Sequence, residues 1–125
     1  MKKLIPVFLV VLMFSSLALA RPAKRITFAK GVTKTVASGK LKGFKDSQVF
    51  LLKLRAKQKL TVLSNDNVTI TITDPSGNDV SDMDLSCNRN KVVKPTVAGT
   101  YRIIVTECKK ADPWIGTFRL KVSAR

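Results

Sequence analysis

Between Val68 and Thr73 every second residue is apolar and every other one is threonine, the two-residue repeat of a strand with one buried and one wetted face. Leu60 to Ser64 mixes apolar and hydroxyl residues in a similar way. Asn65-Asp66-Asn67 between these two runs reads as a hairpin turn. Upstream, Ile26 to Phe28 forms a short strand. Thr33 to Lys42 alternates more loosely, with Val36 and Leu41 as expected buried anchors and Gly39 as a bulge candidate. Gln48 to Leu54 contains the dense run Val49-Phe50-Leu51-Leu52, the pattern of a central strand. Downstream, Lys91 to Lys94 is a short strand stopped by Pro95, Gly99 opens a strand that runs to Thr106, and Ile115 to Val122 is the last. Asp74-Pro75-Ser76-Gly77 carries proline second and glycine fourth, as a type I turn prefers. Residues 78–90 and Lys109 to Trp114 are the long loops. No stretch after residue 20 repeats with helical periodicity. The pattern predicts an all-β chain, a single β-sandwich of about eight short antiparallel strands.

The first twenty residues follow a different rule. Lys2 and Lys3 precede an apolar run from Leu4 to Phe14, and Ala18-Leu19-Ala20 supplies the small-x-small site of a signal peptidase. The run is short for a bilayer span. Residues 1–20 therefore read as a cleaved signal peptide and residues 21–125 as a β-sandwich binding domain, periplasmic or secreted. The mature chain contains no further run long enough to span a membrane.

Export changes the reading of the cysteines. Cys87 and Cys108 are an even pair in an oxidising compartment, which favours one structural disulfide. Closing a loop of that size is worth roughly 3 kcal/mol in the chain-entropy description. With no histidine in the chain, neither a zinc site nor a histidine-activated nucleophile is expected. Nucleophile elbow, P-loop and HExxH motifs are missing too. The sequence points away from an enzyme, and no cofactor or metal is expected. The stretch Asp74 to Asp84 offers oxygens to calcium but lacks the spacing of an EF-hand loop, and reads as a polar surface loop.

Charge narrows the partner. The chain holds 23 Lys and Arg against 8 Asp and Glu, a formal net charge of +15, and still +13 without Lys2 and Lys3. Residues 21–59 hold twelve basic side chains and only Asp46, whereas residues 60–88 hold none and carry five aspartates. Such segregation steers charged partners. Phe28, Phe44, Phe50, Tyr101, Trp114 and Phe118 mostly sit at apolar-alternation positions and do not interleave with basic residues, so specific nucleic-acid binding is not expected. Anionic glycans or other envelope polyanions suit a basic face built from residues 24–59, including Lys40, Lys42 and Lys53.

Several segments in order resemble those of the periplasmic inhibitors of g-type lysozyme, a family of β-sandwiches related to pre-peptidase C-terminal domains. They are Phe28-Ala29-Lys30-Gly31, Gly39-Lys40-Leu41-Lys42-Gly43-Phe44, Ala56-Lys57-Gln58-Lys59-Leu60-Thr61-Val62, Asp74-Pro75 and Ala98-Gly99-Thr100-Tyr101. The resemblance implies a protein partner, g-type lysozyme, blocked by loops that occlude its cleft. Carried over, Gly99 and Tyr101 are the partner contacts, with Lys109 at the nearest basic position, so the inhibitory loops span Ala98, Gly99, Thr100 and Tyr101 and then Lys109 and Lys110; Trp114 is an expected anchor because tryptophan is enriched among interface hot spots. Departures occur at Ala98, where the family often has serine, at Lys109 and Lys110, where it has arginines, and at Lys57, which replaces a turn glycine. A structural role for Gly99-Thr100-Tyr101, turning into a strand and burying the ring, is the competing expectation.

Overall fold

The computed structural model describes residues 21–43, 46–81, 89–108 and 115–125. Eight strands form: β1 (Lys24–Arg25), β2 (Lys34–Leu41), β3 (Ser47–Leu54), β4 (Leu60–Leu63), β5 (Val68–Thr73), β6 (Asn90–Val93), β7 (Gly99–Glu107) and β8 (Gly116–Ala124). They make two four-stranded sheets, in the orders β1-β3-β7-β5 and β2-β8-β4-β6. We refer to these as the odd and the even sheet, because odd-numbered strands lie in one and even-numbered strands in the other. The all-β sandwich read from the sequence is what forms. One pair departs from the antiparallel rule: β1 runs parallel to β3.

This arrangement overturns one local expectation. Asn65-Asp66-Asn67 does not close a hairpin, because β4 pairs with β6 and β8 while β5 pairs with β7. The turn carries the chain across the core from one sheet to the other. Each of the other connections between consecutive strands makes the same crossing.

Alternation decides what is inside. Phe50, Leu52 and Leu54 of β3, Ile70 and Ile72 of β5, and Tyr101, Ile103 and Val105 of β7 face Leu41, Leu60, Val62, Phe118, Leu120 and Val122 of the even sheet. The rings of Phe50 and Phe118 meet edge-to-face at 6.0 Å and 90°, a geometry worth about 0.5–1.5 kcal/mol beyond area burial.

Strand β2 shows where the sequence misled. Its pairing with β8 is unbroken from Lys34 opposite Ser123 to Leu41 opposite Gly116, so Gly39 is not a bulge. Without a bulge, residues 36 and 41 point to opposite faces. Leu41 is fully buried and Val36 stays 61% exposed. Gly39 serves packing instead. A β-carbon there would lie 2.6 Å from Phe118 Cζ, in the space the ring occupies. A glycine in β2 thus makes room for the largest apolar side chain of β8.

The N-terminal segment closes the open edge of β2. The Arg21 guanidinium donates to the Lys40 carbonyl, and Lys24 Nζ donates to the Ser38 carbonyl at 3.2 Å. Arg21 also pairs with Asp46 at 2.8 Å. Cationic side chains laid on edge carbonyls block pairing with another chain. Residues 1–20, and with them the expected signal peptide, lie outside the described residues. So does Cys87. Cys108 directly follows β7, buried, with its N–H on the Asn67 carbonyl at 3.1 Å, and no free cysteine occurs among the described residues.

Replacing Gly39 with alanine should destabilise the domain by about 1–3 kcal/mol, as overpacking does. Pairing it with Phe118→Leu should give less loss than the sum of the two single changes, and urea denaturation of the four proteins measures that coupling. An additive result would show that Gly39 does not serve the ring.

Candidate partner-binding edge

Two crossings meet at one end of the sandwich. Residues 55–59 carry the chain from β3 to β4, and residues 94–98 carry it back from β6 to β7. Thr96, 2% exposed, locks them together. Its hydroxyl donates to the Arg55 carbonyl at 2.6 Å and accepts the Gln58 N–H at 2.9 Å. The Thr96 backbone accepts from the Lys57 N–H and donates to the Gln58 carbonyl. The Gln58 side chain accepts the Arg55 N–H at 2.7 Å. Lys57 sits at φ 63°, the left-handed region a glycine would occupy at less cost, which matches the departure noted in the sequence.

Tyr101 completes this corner from within. Its ring is 2% exposed, packed in the core, and its hydroxyl accepts the Val97 N–H at 2.9 Å. The side chain therefore positions residues 97–100 and cannot itself touch a partner, which favours the structural expectation for this residue. Gly99 is fixed for two reasons. It has φ 138°, and a β-carbon there would come within 2.6 Å of Pro75 Cγ. Pro75 belongs to the turn after β5, where the Asp74 carboxylate accepts the Ser76 and Asn78 N–H groups and the Asp74 carbonyl accepts the Gly77 N–H. Asp79 likewise receives the Ser81 N–H and hydroxyl. These two carboxylates are thus engaged in turn geometry; Asp82 and Asp84 lie outside the described residues.

What reaches solvent is an apolar tip set among cations. Val97 is 51% exposed, and Ala98 and Thr100 are exposed beside it. Lys53, Arg55, Lys57, Lys59, Lys94 and Arg125 are exposed around the same end. A shallow depression of about 400 Å³ lies among Lys57, Gln58, Lys59, Lys94, Pro95 and Arg125. Reciprocal backbone hydrogen bonds between Lys59 and Arg125 hold the C-terminal residue there. The sequence reading missed Val97, Lys94 and Arg125. The available signal was Val97 itself, an apolar residue outside any strand alternation and next to the Ala98-Gly99 pair.

Lys109, Lys110 and Trp114 lie outside the described residues, on the connection that leaves β7 after Cys108. Nine residues of β7 run from Gly99 to Glu107, roughly 27 Å at about 3.4 Å per residue. That length separates the tip at Gly99 from Cys108, which follows the far end of the strand. The basic residues of 24–59 do not form one face: Lys53 projects from the odd sheet and Lys40 from the even sheet.

No protein-family model matches the sequence, and no curated protein matches it either. Solved structures do match. The periplasmic inhibitor of g-type lysozyme from Aeromonas hydrophila aligns with a TM-score of 0.63 at 20% identity, covering 82% of this chain and 96% of that one. The fold is that of the g-type lysozyme inhibitors. The Salmonella Typhimurium inhibitor aligns at 0.62 and 17% identity, over 83% of this chain and all of that one. A pre-peptidase C-terminal domain of Bacillus anthracis collagenase aligns at 0.51 and 16% identity, over 83% and 95%. The family resemblance in the sequence segments is thus matched by the fold.

Thr96→Val should cost about 2 kcal/mol, because it removes both hydrogen bonds of the buried hydroxyl, to the Arg55 carbonyl and from the Gln58 N–H. Thr96→Ser should recover most of that loss. Thermal melts of both variants test the lock; a Thr96→Val protein as stable as the original, or one that loses less than Thr96→Ser, would show that the hydroxyl does not hold the corner.

Proposed function

We propose that this chain is an exported binding protein that inhibits g-type lysozyme, and that residues 94–100 with the 55–59 turn enter or cap the enzyme's cleft. The observation that carries this reading is the alignment of nearly the whole described sandwich with inhibitors of that enzyme class. The chemistry of the edge agrees with it. Glycoside hydrolases generally work with a pair of carboxyl groups in their cleft, and a cationic, apolar-tipped edge complements an acidic groove. Ala98, Gly99 and Thr100 are the contacts, Tyr101 their support. Lys109, Lys110 and Trp114, on the loop that follows β7, are the second proposed contact. The domain acts by binding and is not an enzyme.

The mature domain begins at Arg21, a boundary supported by the docking of Arg21 on Asp46 and Lys40. A Cys87–Cys108 bridge ties the β5–β6 connection to the end of β7. Intact-mass measurement of the exported protein should show loss of residues 1–20 and a gain of two hydrogens on reduction; a mass unchanged by reductant would remove the disulfide.

Purified mature protein should inhibit g-type lysozyme stoichiometrically on bacterial cells and spare c-type and i-type enzymes. Ala98→Asp should weaken inhibition by roughly tenfold or more, by setting a like charge against the cleft. Tyr101→Phe should leave inhibition within a few-fold while lowering stability by about 1 kcal/mol. Loss of inhibition on changing Lys109, Lys110 and Trp114, with Ala98→Asp silent, would move the contact to the loop after β7. No inhibition of any g-type enzyme would leave only the fold.

A further inference from the structure

The even sheet has an outer face that the inhibitor reading does not use. Across it, Lys34, Val36, Ser38 and Lys40 of β2 lie beside Thr117, Arg119, Lys121 and Ser123 of β8, followed by Thr61 and Leu63 of β4 and Asn90 and Val92 of β6. None of its four strands contains an aspartate or glutamate. At its margin the Asp66 carboxylate is engaged by the Arg119 N–H at 2.9 Å. Lys34, Lys40, Arg119 and Lys121 are all exposed there. Between them runs a groove of about 430 Å³, lined by Val36, Leu63, Lys34, Lys121 and their neighbours. Val36 and Val92 are 61% and 42% exposed, while the outer aliphatic residues of the odd sheet, Val49, Leu51 and Ile104, are half-buried.

We propose that this face is a docking surface for an anionic phospholipid bilayer, with the four cations on lipid phosphates and Val36, Leu63 and Val92 against the acyl boundary. Charge complementarity favours this occupant: a face with four cations and no carboxylate on its strands is drawn to a negative surface. Its composition argues against a protein partner, since the centres of protein interfaces are enriched in aromatic residues and depleted in lysine and serine. This face has no aromatic side chain and three lysines. The lack of a ring also removes the stacking platform that sugars and nucleotides use. Lysine ammonium groups act as point charges and bind phosphates without requiring a planar fork. The proposal does not depend on the inhibitor function, because the face lies on the sheet and the inhibitory edge at one end of the sandwich.

Net positive charge alone draws many proteins to anionic vesicles, so the test compares two faces of equal charge loss. Mature protein is co-floated with phosphatidylglycerol-containing vesicles and with pure phosphatidylcholine vesicles across a salt series. Lys34→Gln, Arg119→Gln and Lys121→Gln are combined in one variant; Arg25→Gln, Lys53→Gln and Arg102→Gln, on the odd sheet, form the matched control. The even-face variant should lose partitioning by roughly a hundredfold, about fivefold per cation, and the control far less. Val36→Ser, which leaves charge unchanged, should lower partitioning severalfold. Equal losses in the two triple variants, a silent Val36→Ser, or no preference for the anionic vesicles would overturn the proposal. Lysozyme inhibition measured on the same even-face variants should be unchanged, which separates this face from the inhibitory edge.

Discussion

Because each strand hands the chain to the opposite sheet, no sheet in this protein is held by a connection along its own edge. The two sheets are joined by the core between them and by the crossings at either end, and at one end two crossings depend on the same buried hydroxyl. The Thr96 hydroxyl donates one hydrogen bond to the turn after β3 and accepts another from it, so that turn and the loop before β7 keep a single relative geometry. The surrounding features follow from that. Lys57 can hold its left-handed conformation because its N–H is fixed on Thr96, and Val97 can stand out in solvent because Tyr101 holds its N–H from below. A buried polar group whose partners are all backbone is costly to disturb, which makes this corner a firm platform for exposed residues.

Much of the sandwich was legible in the sequence because two-residue alternation is a local property. Strands β3, β4, β5, β7 and β8 lie within a residue or two of where the pattern put them, and Phe50, Tyr101 and Phe118 are core as their positions implied. The errors came where local pattern carries no information about partners. Asn65-Asp66-Asn67 has the composition of a hairpin turn, yet whether two neighbouring strands share a sheet is decided by the long-range fit of β7 and β8. In β2, Val36 and Leu41 are both apolar and have opposite parity, so one had to face water or a bulge had to intervene. The demand of Phe118 for space at Gly39 kept the strand regular and left Val36 outside.

The candidate site was less legible for a related reason. Ala98 and Gly99 were found through the resemblance, but the cations that accompany them come from β3, the 55–59 turn, the 94–98 loop and the C-terminus, which are far apart in sequence. The basic segment 24–59, contiguous in sequence, is divided by the alternation of sheets between two opposite faces. Charge along the chain and charge on the surface are thus different maps in a protein whose every connection crosses the core.

The position of the last two strands bears on when the fold can appear during synthesis or during passage through a pore. Among the described strands, β7 is the only link between β3 and β5, and β8 the only link between β2 and β4. Before residue 99 emerges, the chain can form only the ribbons β1–β3 and β4–β6, and isolated two-stranded ribbons are marginal in water. Closure waits for the C-terminal strands and pairs them with partners made long before, the kind of distant pairing that folds slowly. Until then the chain behaves as a loose cationic coil whose like charges resist premature collapse, a state well suited to being threaded before it is folded.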